Sequence, residues 1–103
     1  MKYKLLISIK AQQDLEAIYE YIKKDNLSSA IKLINLIYNS LENLQFFPEI
    51  GVNLSNYTIE NNNYKFLIIK KKFIVFYIID NKEIKVIRIF RTEQDYIKIL
   101  GIN

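Results

Sequence analysis

Neither cysteine nor histidine occurs in this chain. Without cysteine there is no disulfide scaffold, no thiolate nucleophile and no zinc site of the cysteine type. Without histidine the commonest general base, every Ser-His-Asp triad and most transition-metal sites are excluded as well. Any catalysis would have to run on Lys, Arg, Tyr, Asp or Glu, and no metal or other cofactor is expected. Two glycines and one proline leave no material for a flexible linker or a low-complexity tract. Long apolar runs are missing too. The most apolar stretch, Phe73 to Ile79, is seven residues long, and Lys70, Lys71 and Lys72 separate it from Phe66-Leu67-Ile68-Ile69. No transmembrane helix is expected from such runs. Near the start, Leu5-Leu6-Ile7 is stopped by Ser8 and Lys10, well short of a signal-peptide core, so a cytoplasmic protein is expected.

What is present is ordinary globular material. Half of the 103 residues are hydrophobic and a quarter are charged, which fits a single domain over residues 1–103. The net charge of +4 is unevenly spread. Residues 1–10 hold three Lys and no acid, residues 11–63 balance at −4, residues 64–91 at +6, and residues 92–103 at −1. A basic later half is the electrostatic footprint of a polyanion or of an acidic protein segment. Against that, the abundance of Lys throughout the chain makes a solvated charged face the plainer reading of each single Lys.

The apolar spacing gives an order of elements. Tyr3 to Ile9 reads as a strand. Ser8 is placed to cap a helix in which Ala11, Leu15, Ile18 and Ile22 form one stripe of a 3.6-residue period, with Asp14 and Glu16 in its early turns and Lys23 and Lys24 in its last. After Asp25-Asn26-Leu27, Ser28 or Ser29 is the expected cap of a second helix. Its stripe is Ala30, Ile34, Ile37, Leu41 and Leu44, with Ile31 and Tyr38 beside it. So short a loop makes the two helices an antiparallel hairpin. Pro48 and Gly51 end the helical pattern. Residues 52–63 are loop-like, with a short extended piece expected at Tyr57 to Ile59.

Three strands follow: Tyr64–Ile69, Phe73–Ile79 and Ile84–Phe90, joined by Lys70-Lys71-Lys72 and by the tight-turn signal Asp80-Asn81-Lys82. Phe73–Ile79 is apolar throughout and is expected at the centre of the sheet. In the last strand simple alternation puts Ile84, Val86, Arg88 and Phe90 on one face. Gln94 to Leu100 reads as a short closing helix. The fold class is α+β, in the order β-α-α-β-β-β-α. The helical hairpin packs on one face of a small, mostly antiparallel sheet, and the other face is left partly open.

This pattern resembles the RelE/ParE superfamily of bacterial toxins over essentially the whole chain. The residues that carry the resemblance are Ala11-x-x-Asp14-Leu15-x-x-Ile18-x-x-Tyr21-Ile22, Ala30, Leu41, Leu44 and Pro48-x-x-Gly51. The later part adds Tyr64-Lys65-Phe66-Leu67-Ile68, Phe76-Tyr77-Ile78-Ile79, Ile87-Arg88-Ile89-Phe90 and Asp95-Tyr96-x-x-Ile99-Leu100. The resemblance implies the toxin of a type II toxin–antitoxin system, neutralised by a cognate antitoxin protein. ParE-like members inhibit DNA gyrase, and the first-helix and Pro-x-x-Gly pieces look more like them. RelE-like members cut mRNA on the ribosome without a metal; in that case Lys65, Arg91 and Tyr96 match the catalytic positions. Glu93 and Gln94 stand where many of those ribonucleases carry basic residues. A third reading is a non-toxic remnant that still binds the antitoxin. The antitoxin is expected to contribute an acidic, amphipathic segment that folds on contact, and no membrane partner is expected.

Arg88 and Arg91 are the candidate anion- or target-binding residues. They are the only two Arg beside thirteen Lys. Arg88 lies in an otherwise apolar strand, where a guanidinium needs an acidic partner or an anionic ligand. A structural ion pair and a functional site are equally consistent with that placement. Tyr96 has a plain alternative as a packing residue with its hydroxyl at the rim.

Overall fold

A computed structural model of the chain describes residues 2–58 and 62–94. Strand β1 (Lys4–Ile7) stops two residues before the expected Ile9. The Ser8 hydroxyl accepts the Ala11 amide at 3.0 Å and starts helix α1 (Ile9–Lys23) at once. Ala11, Leu15 and Ile18 are buried as their spacing requires, and Ile22 packs against the same core. Asp14 and Glu16 lie beyond the first turn, so neither serves the helix dipole there.

Helix α2 (Leu27–Leu44) is capped by Asn26, not by Ser28 or Ser29. The amides of Asp25 and Asn26 both close back on the Ile22 carbonyl at 3.1 Å, so the chain has already turned when it reaches Asn26. The Asn26 side chain then accepts the Ser29 amide at 3.0 Å. Ala30, Ile37, Leu41 and Leu44 are buried, while Ile31 and Tyr38 beside them are exposed.

The remaining strands are β2 (Val52–Asn53), β3 (Lys65–Ile69), β4 (Phe73–Asp80) and β5 (Glu83–Arg91), in the spatial order β1-β5-β4-β3-β2. β1 runs parallel to β5 and the other pairs are antiparallel. β4 is central, and Phe73 to Tyr77 are buried, as a continuous apolar strand predicts. Both hairpin turns use left-handed backbone, at Lys70 and Lys71 (φ 51° and 60°) and at Asn81 and Lys82 (φ 49° and 62°). That backbone matches the twist of the flanking strands.

Two expectations need correction. The extended piece lies at Val52–Asn53, not at Tyr57 to Ile59. Buried Leu54 and its amide, bonded to the Tyr64 carbonyl at 2.9 Å, turn the chain over the sheet before it reaches Tyr57; Ile59 is outside the described residues. Next, Ile84, Val86, Arg88 and Phe90 do not share one face. Tyr77 pairs with Val86 but Phe76 pairs with Arg88, so Ile87 is an extra residue that reverses the alternation. Ile84, Val86 and Ile89 therefore point into the helix-side core, and Phe90 points to the opposite face. The opposite face is partly open, as expected, and Ile68 on it is half exposed. Leu54, Ile74, Phe76 and Phe90 are buried there, and a row of rings runs from Tyr57 through Phe66 and Phe76 to Phe90 with centroids 5.9–6.3 Å apart. The closing helix expected over Gln94–Leu100 lies outside the described residues beyond Gln94.

The Pro48-x-x-Gly51 segment has its own physical reason. The buried Tyr77 hydroxyl donates to the Pro48 carbonyl at 2.8 Å and accepts the Gly51 amide at 2.9 Å. A Cβ at Gly51 would lie 2.3 Å from that hydroxyl and 2.8 Å from the Phe66 carbonyl. Glycine is needed for close approach, since the backbone there is ordinary extended chain. Burial holds the Tyr77 phenol above its usual pKa, with Glu49 acting in the same direction and the Gly51 amide opposing.

Candidate functional site at the end of the last strand

The site grows out of a mismatch in length. β1 has four residues and covers only Glu83–Val86, so β5 runs on for five residues with a bare edge. Three polar side chains do the work of the missing strand. The Ser8 hydroxyl donates to the Ile87 carbonyl at 2.9 Å, Asp14 accepts the Ile89 amide at 2.9 Å, and Gln94 accepts the Arg91 amide at 2.8 Å. Ile87, Ile89 and Arg91 thus each have a main-chain group at this edge that finds a side-chain partner.

Arg88 begins on the far face of the sheet, opposite Phe76, and turns around this edge. Its Nε and Nη2 donate to the two oxygens of Asp14 at 2.8 and 2.9 Å, while the Phe90 ring lies 4.5 Å beneath the guanidinium. The Asp14 bonds raise the Arg88 pKa further above an already basic value, so the group stays charged. Asp14 thus holds a side chain and a main-chain amide with one carboxylate. Its sequence signal was its position: Ala11, Asp14, Leu15 and Ile18 are spaced at i, i+3, i+4 and i+7, which puts an acid on the buried stripe. An acid there, beside an Arg in an apolar strand, is the pattern that identifies the pair.

Arg91 is placed differently. Its guanidinium lies 4.0 Å from the centre of the Tyr21 ring, and Glu93, two residues on, forms an ion pair with it. Tyr21 is half exposed. Tyr21 and Arg91 form the ridge between two open grooves of about 440 and 420 Å³. The first lies against Asp14, Glu20 and Lys24 of α1 and its loop. The second is bounded by Ser29, Leu33, Phe73, Thr92 and the turn lysines Lys71 and Lys72. Glu93 and Gln94, where the resemblance leads one to look for basic residues, are therefore bonded to the side chain and main chain of Arg91.

Lys65 is elsewhere. It donates to the Asn53 side chain at 2.9 Å and lies 3.7 Å from Glu49, with a side chain only 15% exposed. It is four residues along β3 from Ile69, whose partner Phe73 is paired to Arg91. Strand spacings put Lys65 and Arg91 roughly 16 Å apart. The structure does not bring these two together, and Tyr96 is outside the described residues. No helix among the described residues is long and apolar enough to cross a membrane.

Two helices packed on a five-stranded, mostly antiparallel sheet is the architecture that the resemblance implies. Residues 5–96 match the family model described as ParE toxin of type II toxin-antitoxin system, parDE. The chain belongs to that family. Among solved structures it is similar to a chain of the chromosomal ParDE toxin–antitoxin system of P. aeruginosa, at 26% identity and a TM-score of 0.73 over 89% of this chain and 98% of that one. It also shares its fold with a chain of the RelBE2 toxin–antitoxin complex of Mycobacterium tuberculosis, at 14% identity and a TM-score of 0.55 over 88% and 99% of the two chains. No curated protein is significantly similar to the sequence.

Proposed function

We propose that this chain is the toxin of a ParDE-type pair, that it arrests growth by binding DNA gyrase, and that a cognate antitoxin neutralises it. The observation that carries the reading is how the cations are committed. A metal-free ribonuclease must activate a 2′-hydroxyl, stabilise a dianionic phosphorane and protonate a leaving oxygen within one small site. Here Arg88 is committed to Asp14, and Arg91 to Tyr21 and Glu93. Lys65 is bonded to Asn53 at the other end of the sheet. Such an arrangement suits a protein-binding surface better than a proton-transfer site, and the family match points the same way.

Supercoiling of relaxed plasmid by purified gyrase tests the reading directly. Inhibition at a stoichiometric excess of the chain is expected. Full supercoiling, together with cleavage of translated mRNA in a primer-extension assay, would replace it with the ribosome-dependent endoribonuclease. In that case Lys65, Arg91 and Tyr96 become the residues to substitute first.

A further inference from the structure

The groove between the Lys70–Lys72 turn, the start of α2 and the end of β5 is a built feature. The Thr92 amide donates to the Lys72 carbonyl at 2.8 Å, and its hydroxyl to the carbonyls of Lys71 and Lys72 at 3.0 and 3.3 Å. These bonds hold a turn that places two lysines in left-handed backbone, where Asn and Gly are the favoured residues. Strain of this kind persists where the surroundings over-determine it. Lys70, Lys71 and Lys72 are exposed and make no ion pair among the described residues. The wall behind the charges is apolar, formed by Ile22, Leu33 and buried Phe73. Arg91 stands at the mouth on the Tyr21 ring, and its only carboxylate among the described residues is Glu93 of the same chain.

We propose that this groove seats an acidic segment of the antitoxin, and that Glu93 holds the place on Arg91 that a carboxylate of that segment takes. The inference rests on the toxin–antitoxin reading and adds where, and by what chemistry, the partner binds. Charge complementarity selects the occupant. Lys71, Lys72 and Arg91 surround an apolar wall, which fits alternating acidic and apolar side chains. A phosphodiester would use the cations and leave the apolar wall bare. The Glu93 pair is an exposed, local one that contributes little to folding, so an incoming carboxylate can replace it at low cost.

The test uses the full ¹⁵N-labelled chain and two defined probes: the blocked hexapeptide Glu-Leu-Glu-Glu-Leu-Glu and a uridine hexanucleotide. The peptide is expected to shift the amides of Tyr21, Lys71, Lys72 and Thr92, and to do so more weakly as salt rises. Glu93→Gln removes the internal competitor and is expected to tighten peptide binding by up to about fivefold. Lys71→Glu with Lys72→Glu is expected to abolish it. Tighter binding of the hexanucleotide at the same residues, no peptide shifts there, or a Glu93→Gln chain that binds no better would each overturn the proposal. Growth arrest by the induced chain is read separately. A chain that arrests growth but does not bind the peptide keeps the function and loses this seat.

Discussion

Replacing Asp14 by Ala removes three hydrogen bonds at once: two from the Arg88 guanidinium and one from the Ile89 amide. The two side chains are only 13% and 20% exposed, so water reaches the orphaned groups poorly. Breaking a buried pair by removing one partner costs about 3–5 kcal/mol. The lower end, about 3 kcal/mol, is expected here because the guanidinium keeps some access to solvent and to the Phe90 ring. In a domain of this size, about 1 kcal/mol corresponds to about 4–8 °C in Tm. Asp14→Asn retains one acceptor and should cost about 1–2 kcal/mol. Asp14→Leu combined with Arg88→Met leaves no buried charge and should recover most of the loss. Urea unfolding monitored by circular dichroism measures all three, with an unchanged m value as the sign that the states compared are the same. A loss below about 0.5 kcal/mol for Asp14→Ala would refute the reasoning, because a change that small is typical of substitutions on an open surface. Strict additivity of Asp14→Ala and Arg88→Ala would refute it too, since residues in direct contact should couple.

Gly51→Ala should destabilise by about 2–3 kcal/mol, since the new methyl meets a buried phenol and a main-chain carbonyl that have no room to move; thermal unfolding reads it. Tyr77→Phe leaves the Gly51 amide unpaired and should cost about 1–2 kcal/mol in the same assay. The Tyr77 phenol also gives a pH dependence. Its folded pKa lies above the unfolded value near 10, so between the two the unfolded chain loses the proton first and stability falls as pH rises. Stability measured from pH 9 to 11 should drop more steeply in the parent than in Tyr77→Phe, and parallel curves would contradict the assignment. Lys82→Gly converts the second hairpin turn to Asn-Gly and should stabilise by about 1 kcal/mol in urea unfolding, by relieving left-handed backbone at a lysine.

The sequence disclosed those parts of the molecule that rest on periodicity. Both helical stripes, the central apolar strand and the Ser8 cap depend on local spacing, and local spacing is visible in a single chain. The resemblance covered the same elements and was confirmed by the match over residues 5–96. What stayed hidden depends on one extra residue or on contacts between distant segments. The bulge at Ile87 cannot be seen in an alternating run of Ile, Val and Arg, yet it reverses the face of everything after it. Asn26 and Ser28 are equally good capping residues, and only the backbone turned by Ile22 chooses between them. The link from Tyr77 to Pro48 and Gly51 joins segments 29 and 26 residues apart. At the candidate site the two Arg were singled out from the start. Their different fates, one clasped by Asp14 and one on Tyr21, follow from where β1 ends, and no composition argument reaches that.

Induction of the chain alone from a tightly repressed promoter, with viable counts followed over time, tests the central claim most directly. Counts should collapse in cells that hold folded, soluble chain, and should recover when its antitoxin is co-expressed. Undiminished growth at the same level of folded protein would contradict the account and leave a binding module with no toxicity.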